Sequence, residues 1–487
     1  MAQIPEDDYE HTLPVSDDED EKPYNDLLIY PGLVLKGDYI LLKVIGYGNN
    51  ARVWIAYQIS SKSFIAMKIQ DFQGYRDGCR EVAIVKKINA YADLHKFKDT
   101  NCIKLLDFFV YEAMEDIRFV CSIYYLYADS LILVLENGKY KYGLPIHVVK
   151  SITRQLLNAC SILHNDLKII HTDIRPANIL FKGTSEIQSQ VMQLFIRSGF
   201  QEKYDKLCLN QKDKKRFKTD LEILAVESVS AICALEKSKR QRHSSPSRAI
   251  QEEDDLVEGE DDDNCLNSRE QSVEDLIEYI DQYEMHDLEA GGDYDFDSVL
   301  NNRANGTTTD TREMIDENCI YNCQIVLTDF GNSYFSNNRT KNEIQDRLYR
   351  APEIILDLNY GYSCDMWSIG CLVFELLTGF PLFAPEYDPL NADLQHLYLL
   401  EKTLGPMPIA LKKKSKRCRF LFDKKRNYHI KNVKEFVQVP LKDRLTKQFL
   451  FSESDAREIA AFLLCVLRYD PNQRVTAKNL LNHSWLK

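Results

Sequence analysis

The 487-residue chain lacks an apolar stretch after Met1, and its most apolar runs are interrupted by Asp129 and Glu375, so neither a signal peptide nor a membrane span is expected. It also lacks a basic excess. The formal net charge is -13, whereas a general nucleic-acid binder needs a cationic face to neutralise phosphates. Its 13 cysteines include no C-x-x-C pair and no short secreted framework, which argues against the common structural zinc sites and for scattered reduced thiols. What is present is 44% apolar and 11% aromatic content, enough for a large core and a two-lobed domain or more. These balances describe an intracellular globular protein with appendages, expected in the cytoplasm, the nucleus or both. Direct contact with nucleic acid or membrane is not expected, and a monomer is.

Five regions follow from composition and periodicity. Residues 1–38 carry acidic runs such as Ser16-Asp17-Asp18-Glu19-Asp20-Glu21 and few periodic apolar positions, so they are expected to form a disordered acidic tail. Ser16 is either a target for acid-directed phosphorylation or part of a solvated charge run. Residues 39–128 turn to β-branched and aromatic runs (Tyr39 to Ile45, Val53 to Ile59, Phe64 to Ile69) between short polar turns, the pattern of an antiparallel meander. Residues 129–184 open a helical lobe: after Pro145, the residues Val149, Ile152, Leu156, Ala159 and Leu163 recur at helical spacing. Residues 185–319 break the pattern, and residues 320–487 resume it. Within the break, Ile187, Val191, Leu194 and Phe195 predict one helix, and Thr219 with Glu222 reads as a capping box for a second running toward Leu235. The basic block Lys237 to Arg242 and the acidic block Glu252 to Asp263 are too charged to bury, so this insert is expected to be mostly flexible.

Residues with chemical potential stand on both sides of the insert. Ile45-Gly46-Tyr47-Gly48-Asn49-Asn50-Ala51-Arg52-Val53 links two predicted strands, and because a strand follows rather than a helix it resembles the glycine-rich lid over ATP phosphates, with a plain hairpin as the alternative. Ala51 stands where a third glycine is usual, which would stiffen the lid. The next strand ends Ala66-Met67-Lys68-Ile69, where a lysine can grip the α- and β-phosphates, and Glu81 on a following amphipathic helix is its expected partner. His171-Thr172-Asp173 follows two apolar residues, and Asn178 comes five positions after the acid. A carboxylate that accepts a hydroxyl proton and an amide oxygen that holds a metal fit this spacing. After a gap of about 150 residues, far beyond ordinary loop length, Asp329-Phe330-Gly331 supplies a second metal carboxylate and Ala351-Pro352-Glu353 closes an activation segment. Hard oxygen ligands beside polyphosphate suit Mg2+, so ATP and Mg2+ are the expected cofactors.

The order of these motifs resembles the protein kinases, and within them the chain is similar to the SR-protein kinase family of the cyclin-dependent and MAP kinase branch. The resemblance rests on Ile170-His171-Thr172-Asp173-Ile174, Asp329-Phe330-Gly331-Asn332-Ser333, Ile344-Gln345-Asp346-Arg347-Leu348-Tyr349-Arg350 and Asn482-His483-Ser484-Trp485-Leu486, and on an insert between catalytic loop and Asp-Phe-Gly strand. It covers residues 39–487 outside the insert. It implies an α+β, two-lobed fold with an antiparallel β N-lobe and a helical C-lobe, and serine phosphorylation of arginine-serine-rich splicing factors in mRNA processing. It further implies Asp173 as catalytic base, Arg175 as the cation beside the transferred phosphate, Asn178 and Asp329 as metal ligands, Tyr124 as gatekeeper, and Tyr125, Leu126 and Tyr127 as the hinge over the nucleotide base.

Several features modify that picture. Thr172 replaces an arginine that grips an activating phosphate, so activity without activation-loop phosphorylation is expected. Arg175 stands where a lysine is usual, a planar fork in place of a point charge. Ala177 replaces a usual Glu, and Phe330 a Leu found in many members. Asp365 with Trp367, and the pair Glu353 and Arg474, resemble braces of the catalytic loop and activation segment. Glu386, Asp388, Asp393 and Glu401 are either an acidic docking groove or ordinary surface acids. Lys412 to Arg417 is either a nuclear-import signal or a solvated loop. Ser244, Ser245 and Ser247 among arginines suggest a regulatory arginine-serine segment. Two alternatives remain: a dual-specificity splicing-factor kinase, and a pseudokinase scaffold.

Overall fold

The computed structural model describes residues 28–243 and 323–487, apart from residue 49 and residues 97–98, 115–116, 137–139, 210–213, 337–343, 386–390 and 434–436. Ser16, Ser244, Ser245, Ser247, Glu386, Asp388 and the acidic block Glu252 to Asp263 lie outside the described residues.

Six antiparallel strands build the N-lobe: β1 (Val34–Leu35), β2 (Tyr39–Gly48), β3 (Ala51–Gln58), β4 (Ser63–Gln70), β5 (Leu105–Met114) and β6 (Ile117–Tyr125), in the spatial order β1-β2-β3-β4-β6-β5. The unbroken apolar run Tyr39-Ile40-Leu41-Leu42 has a direct cause. Tyr39 and Leu41 pack with Trp54, Met67 and Phe119 on one face, whereas Ile40 and Leu42 pack with Ile55 and Tyr57 on the other. Side chains alternate across a strand, so a strand covered on both faces needs apolar residues at every position. Helix α1 (Tyr75–Leu94) crosses between β4 and β5 and buries Glu81, Val82, Ile84, Val85 and Ile88.

The second covering layer comes from the insert. Helices α2 (Glu186–Arg197), α3 (Phe200–Leu209) and α4 (Lys214–His243) place Val191, Phe195, Phe200, Leu221, Leu224, Ala225, Val229 and Ile232 in the same cluster as Ile40, Ile55 and Tyr57. The Tyr57 ring lies 4.9 Å from that of Phe195, tilted by 47°, and its hydroxyl donates to Gln201 Oε1 at 2.9 Å. The insert, expected to be mostly flexible, thus opens with helices whose described apolar residues cover the sheet. The helix starts differ from expectation as well. Thr219 with Glu222 is no capping box: α4 begins at Lys214, Thr219 lies inside it and donates to Lys215 O, and Glu222 pairs with Lys218. The capping box belongs to α2, where Ser185 accepts from Gln188 N and Gln188 Oε1 accepts from Ser185 N.

The C-lobe is helical. Helix α5 (Ile146–Ser161) follows Pro145 and buries Val149, Ile152, Leu156 and Ala159 as their spacing predicts. It continues through a π-helical turn at 162–167 that ends on Lys168 in the left-handed region. Helix α6 (Ser363–Thr378) runs through the core with every residue from Cys364 to Thr378 buried. Gly379 ends it with φ +83, and a Cβ there would lie 2.1 Å from Lys141 O, so only glycine fits. The described cysteines are free, and among the described residues no helix is long and apolar enough to cross a membrane.

Candidate functional site

Two short strands join the halves of the site across the insert. Strand β7 (Ile179–Phe181) pairs antiparallel with β8 (Ile325–Leu327), in the register Ile179 with Leu327, and Thr328 N donates to Asn178 O at 3.0 Å. Residues 182–324 therefore leave and re-enter at one end of a hairpin-like pair: Lys182 N donates to Gln324 O at 2.8 Å. His171 Nε2 contacts Thr328 O at 3.0 Å, and its ring meets Phe330 edge-on at 4.9 Å. Asp173 and Asn178, five positions apart, thus share one cleft with the distant Asp329.

On the N-lobe side, Lys68 Nζ lies 2.7 Å from Glu81 Oε2 and 2.9 Å from Asp329 Oδ1. The two carboxylates raise the ammonium's pKa although burial opposes them, and Lys68 in turn holds the Asp329 carboxyl below its ordinary range. Burial raises the Glu81 carboxyl, with Lys68 opposing. Two residues that sequence reasoning did not connect to Glu81 complete its shell: Tyr124 donates to Oε1 at 3.3 Å and Gln70 to Oε2 at 3.3 Å. Strand pairing brings them there, since Lys68 opposes Ser122 and Ala66 opposes Tyr124. Asp329 itself has φ 61, a left-handed backbone uncommon away from glycine and found at functional sites.

On the C-lobe side, Asn178 Nδ2 donates to both Asp173 O and Asp173 Oδ2 at 2.8 Å. Burial raises the Asp173 carboxyl, and the nearby Arg175 guanidinium opposes the shift. Asp365, buried on α6, fixes the loop: it accepts from His171 N and Thr172 N at 2.8 Å each and contacts His164 Nε2 at 2.8 Å. Thr172 is thereby held at φ 70, strained for a β-branched residue, and its hydroxyl donates to Asn332 O at 2.8 Å.

The segment beyond the site is braced from inside the fold. Gln345 donates to Cys364 O and Ser368 Oγ, and its Oε1 accepts from Ala351 N at 2.9 Å. Glu353 and Arg474 form a buried two-pronged pair at 2.6 Å per contact, with the guanidinium 5.0 Å from the Trp367 ring. Tyr349 donates to Glu375 Oε2 at 2.5 Å. Burial pushes the Glu375 carboxyl up to about 7, with Asp346 and Glu136 adding to the rise and the Tyr349 hydrogen bond opposing it. A carboxyl whose pKa is higher folded than unfolded contributes stability below its unfolded pKa and loses it as pH rises through the folded one. Glu375→Gln is therefore expected to stabilise the protein relative to wild type by up to about 3 kcal/mol at pH 8 and far less at pH 4.5. Denaturant melts at the two pH values check this; an equal effect at both refutes it.

The roof and hinge residues are placed as follows. Gly46 opposes Val53, Tyr47 opposes Arg52 and Gly48 opposes Ala51, so the predicted lid is the β2–β3 turn. Asn49 lies outside the described residues, and Asn50 O accepts from Asp71 N at 3.1 Å. Tyr47 is exposed at the tip, Ile45 packs at the margin of the insert cluster, and Val53 packs against the main core. Gly74 closes the corner beneath: a Cβ there would meet Asn50 O at 2.9 Å. In the hinge, Tyr125 is half exposed, and Tyr127 O accepts from Gln188 Nε2 of the insert at 2.7 Å.

Two readings of surface charge are corrected. Asp393 is taken up by Arg347 and, at 2.6 Å, by Arg417; Glu401 is buried against Lys412 at 2.7 Å. Glu401 is buried, and Asp393 is half-buried between two arginines. The basic run Lys412 to Arg417 is only partly solvated: Lys412 is buried, Ser415 donates to Leu356 O, Lys416 pairs with Asp357 and Arg417 pairs with Asp393, whereas Lys413, Lys414 and Lys416 are exposed.

Residues 39–192 and 312–486 match the family model described as protein kinase domain. A putative serine/threonine-protein kinase of Acanthamoeba polyphaga mimivirus is 47% identical, covering 99% of this chain and 94% of its own length. The protein kinase dsk1 of Schizosaccharomyces pombe is 25% identical over 92% of this chain and 80% of its own. SRSF protein kinase 3 of Mus musculus is 25% identical over 97% and 91%.

Proposed function

We propose, from the premise that this chain belongs to the protein kinase family and is a serine/threonine protein kinase, that it transfers phosphate from ATP to arginine-serine-rich proteins of mRNA processing. The observation that carries the phosphotransfer part is the position of Lys68 between Glu81 and Asp329, with Asp173 and Asn178 across the cleft. In this reading Lys68, oriented by Glu81, neutralises nucleotide phosphates, and the Gly46–Val53 turn covers them. The backbone of Tyr125 to Tyr127 borders the base. Asp329 and Asn178 offer the hard oxygen donors that suit magnesium, which when bound would neutralise charge on the phosphate oxygens. Asp173 orients the substrate hydroxyl and accepts its proton, while Arg175 supplies positive charge nearby.

The substrate class is supported by the insert's position between β7 and β8 and by the similarity to an SRSF protein kinase. Cytoplasmic or nuclear location and action as a monomer go with it. Asp393 and Glu401 are already paired with basic side chains, so arginine recognition in this reading draws on other groups as well. Thr172, bonded to a backbone carbonyl rather than a phosphate, supports activity without activation-loop phosphorylation. The substrate assay compares an arginine-serine peptide with a serine peptide in which every arginine is replaced by alanine. The first is expected to be phosphorylated at least about tenfold more efficiently in kcat/KM, equivalent to about 1.4 kcal/mol of transition-state binding; equal rates refute the substrate class.

A further inference from the structure

A kinase segment ordered by phosphorylation uses a catalytic-loop cation to grip the added phosphate. Here the residue beside the base, Thr172, has no charge. Three positions later Arg175 does, and its Nη1 lies 3.3 Å from Asp346 Oδ2. We infer that Asp346 is a positioning residue: its carboxylate is a permanent, genetically encoded anion that ties the catalytic-loop cation to the activation segment, where other kinases use a phosphate. This deepens, and rests on, the reading that the enzyme works without activation-loop phosphorylation.

The geometry supplies both ends of the tie. Asp346 caps the turn Arg347–Tyr349, accepting from Leu348 N at 3.1 Å through Oδ1, so its Oδ2 is the oxygen turned to Arg175. Arg175 Nε stands 3.6 Å from Asp173 Oδ1, close enough for an ion pair but without a hydrogen bond. The guanidinium is therefore shared between the base and the segment. Its fork suits this double role better than a lysine ammonium would, since planar donors point at two carboxylates at once. Asp346 keeps Arg175 from closing fully on Asp173, and Arg175 keeps the segment's first turn at the mouth of the cleft. Both side chains are about one-third exposed, 38% and 35%, so the pair acts through position more than through stability.

Asp346→Asn separates the two roles of this residue, because asparagine caps a helical turn as well as aspartate but carries no charge. The measurements are kcat and ATP KM for phosphatase-treated wild type and variant. Treated wild type is expected to keep its activity; losing it overturns both the phosphate-independent reading and the inference. Asp346→Asn is expected to lower kcat about 10- to 100-fold, the effect of misplacing a group by a fraction of an ångström, with little change in ATP KM. A fall in kcat at unchanged ATP KM is a split that a merely structural role would not give. In an Arg175→Ala background the same substitution should change kcat less than about twofold, since the two residues act together. Active, phosphatase-treated wild type alongside an Asp346→Asn enzyme with wild-type kcat, or a loss undiminished in the Arg175→Ala background, overturns the inference alone. Asp346→Ser, also a capping residue, gives the same readings if the asparagine variant is poorly soluble.

Discussion

Asp173→Asn is expected to lower kcat about 10³-fold, the loss of about 4 kcal/mol of transition-state stabilisation, while leaving the fold and nucleotide binding intact. The substitution removes one thing. Asparagine has nearly the shape of aspartate and can still meet Asn178 Nδ2, which donates to Asp173 Oδ2 at 2.8 Å, but it has no carboxylate to take the substrate proton. Lys68, Glu81 and Asp329, which form the nucleotide side in the proposed roles, do not hydrogen-bond to Asp173 and should be undisturbed. Single-turnover kinetics with an arginine-serine peptide and a direct nucleotide-binding titration check both halves. Retention of more than about a tenth of wild-type kcat would remove Asp173 from its assigned role.

The largest expected effect on stability lies far from the chemistry, at Arg474. Its guanidinium meets both Glu353 oxygens at 2.6 Å and also donates to Arg468 O and Ser363 O. Both side chains are essentially without solvent contact. Arg474→Met leaves a buried carboxylate unpaired and is expected to cost roughly 3 to 5 kcal/mol, measured by denaturant unfolding. The double variant Glu353→Leu with Arg474→Met should recover part of the loss, because the uncompensated charge is gone, although two backbone carbonyls still lack a donor. A single variant within about 1 kcal/mol of wild type would contradict this account. The cost should appear in activity only near the melting temperature, since Glu353 braces the segment after the site and touches none of Lys68, Asp173 or Asp329.

Much of this architecture is readable along the chain because its signals are local. The β2 to β4 runs, the helix after Pro145 and the resumption of strand pattern at Ile325 follow from periodicity over a few residues, and the structure has all of them. The capping box lies at Ser185, not at Thr219 as spacing predicts, for an equally physical reason. Thr219 and Glu222 have the right spacing, but i to i+3 spacing also occurs within any helix, and only the backbone fixes where the first turn lies. Charge was the least readable property. Asp393, Glu401, Lys412 and Arg417 looked like surface charge until folding placed them beside one another.

The sequence alone therefore determined the kind of chemistry, its order along the chain and the location of the insert, since those depend on residue type and short spacing. Tertiary structure decided which charges meet: Arg175 with Asp346 across 171 positions, and Lys68 with Asp329 across 261. It also decided that the first helices of the insert cover the N-lobe sheet. An amphipathic pattern states that a face must be buried but not against what, and a salt bridge depends on approach within a few ångströms, which only the closed fold provides.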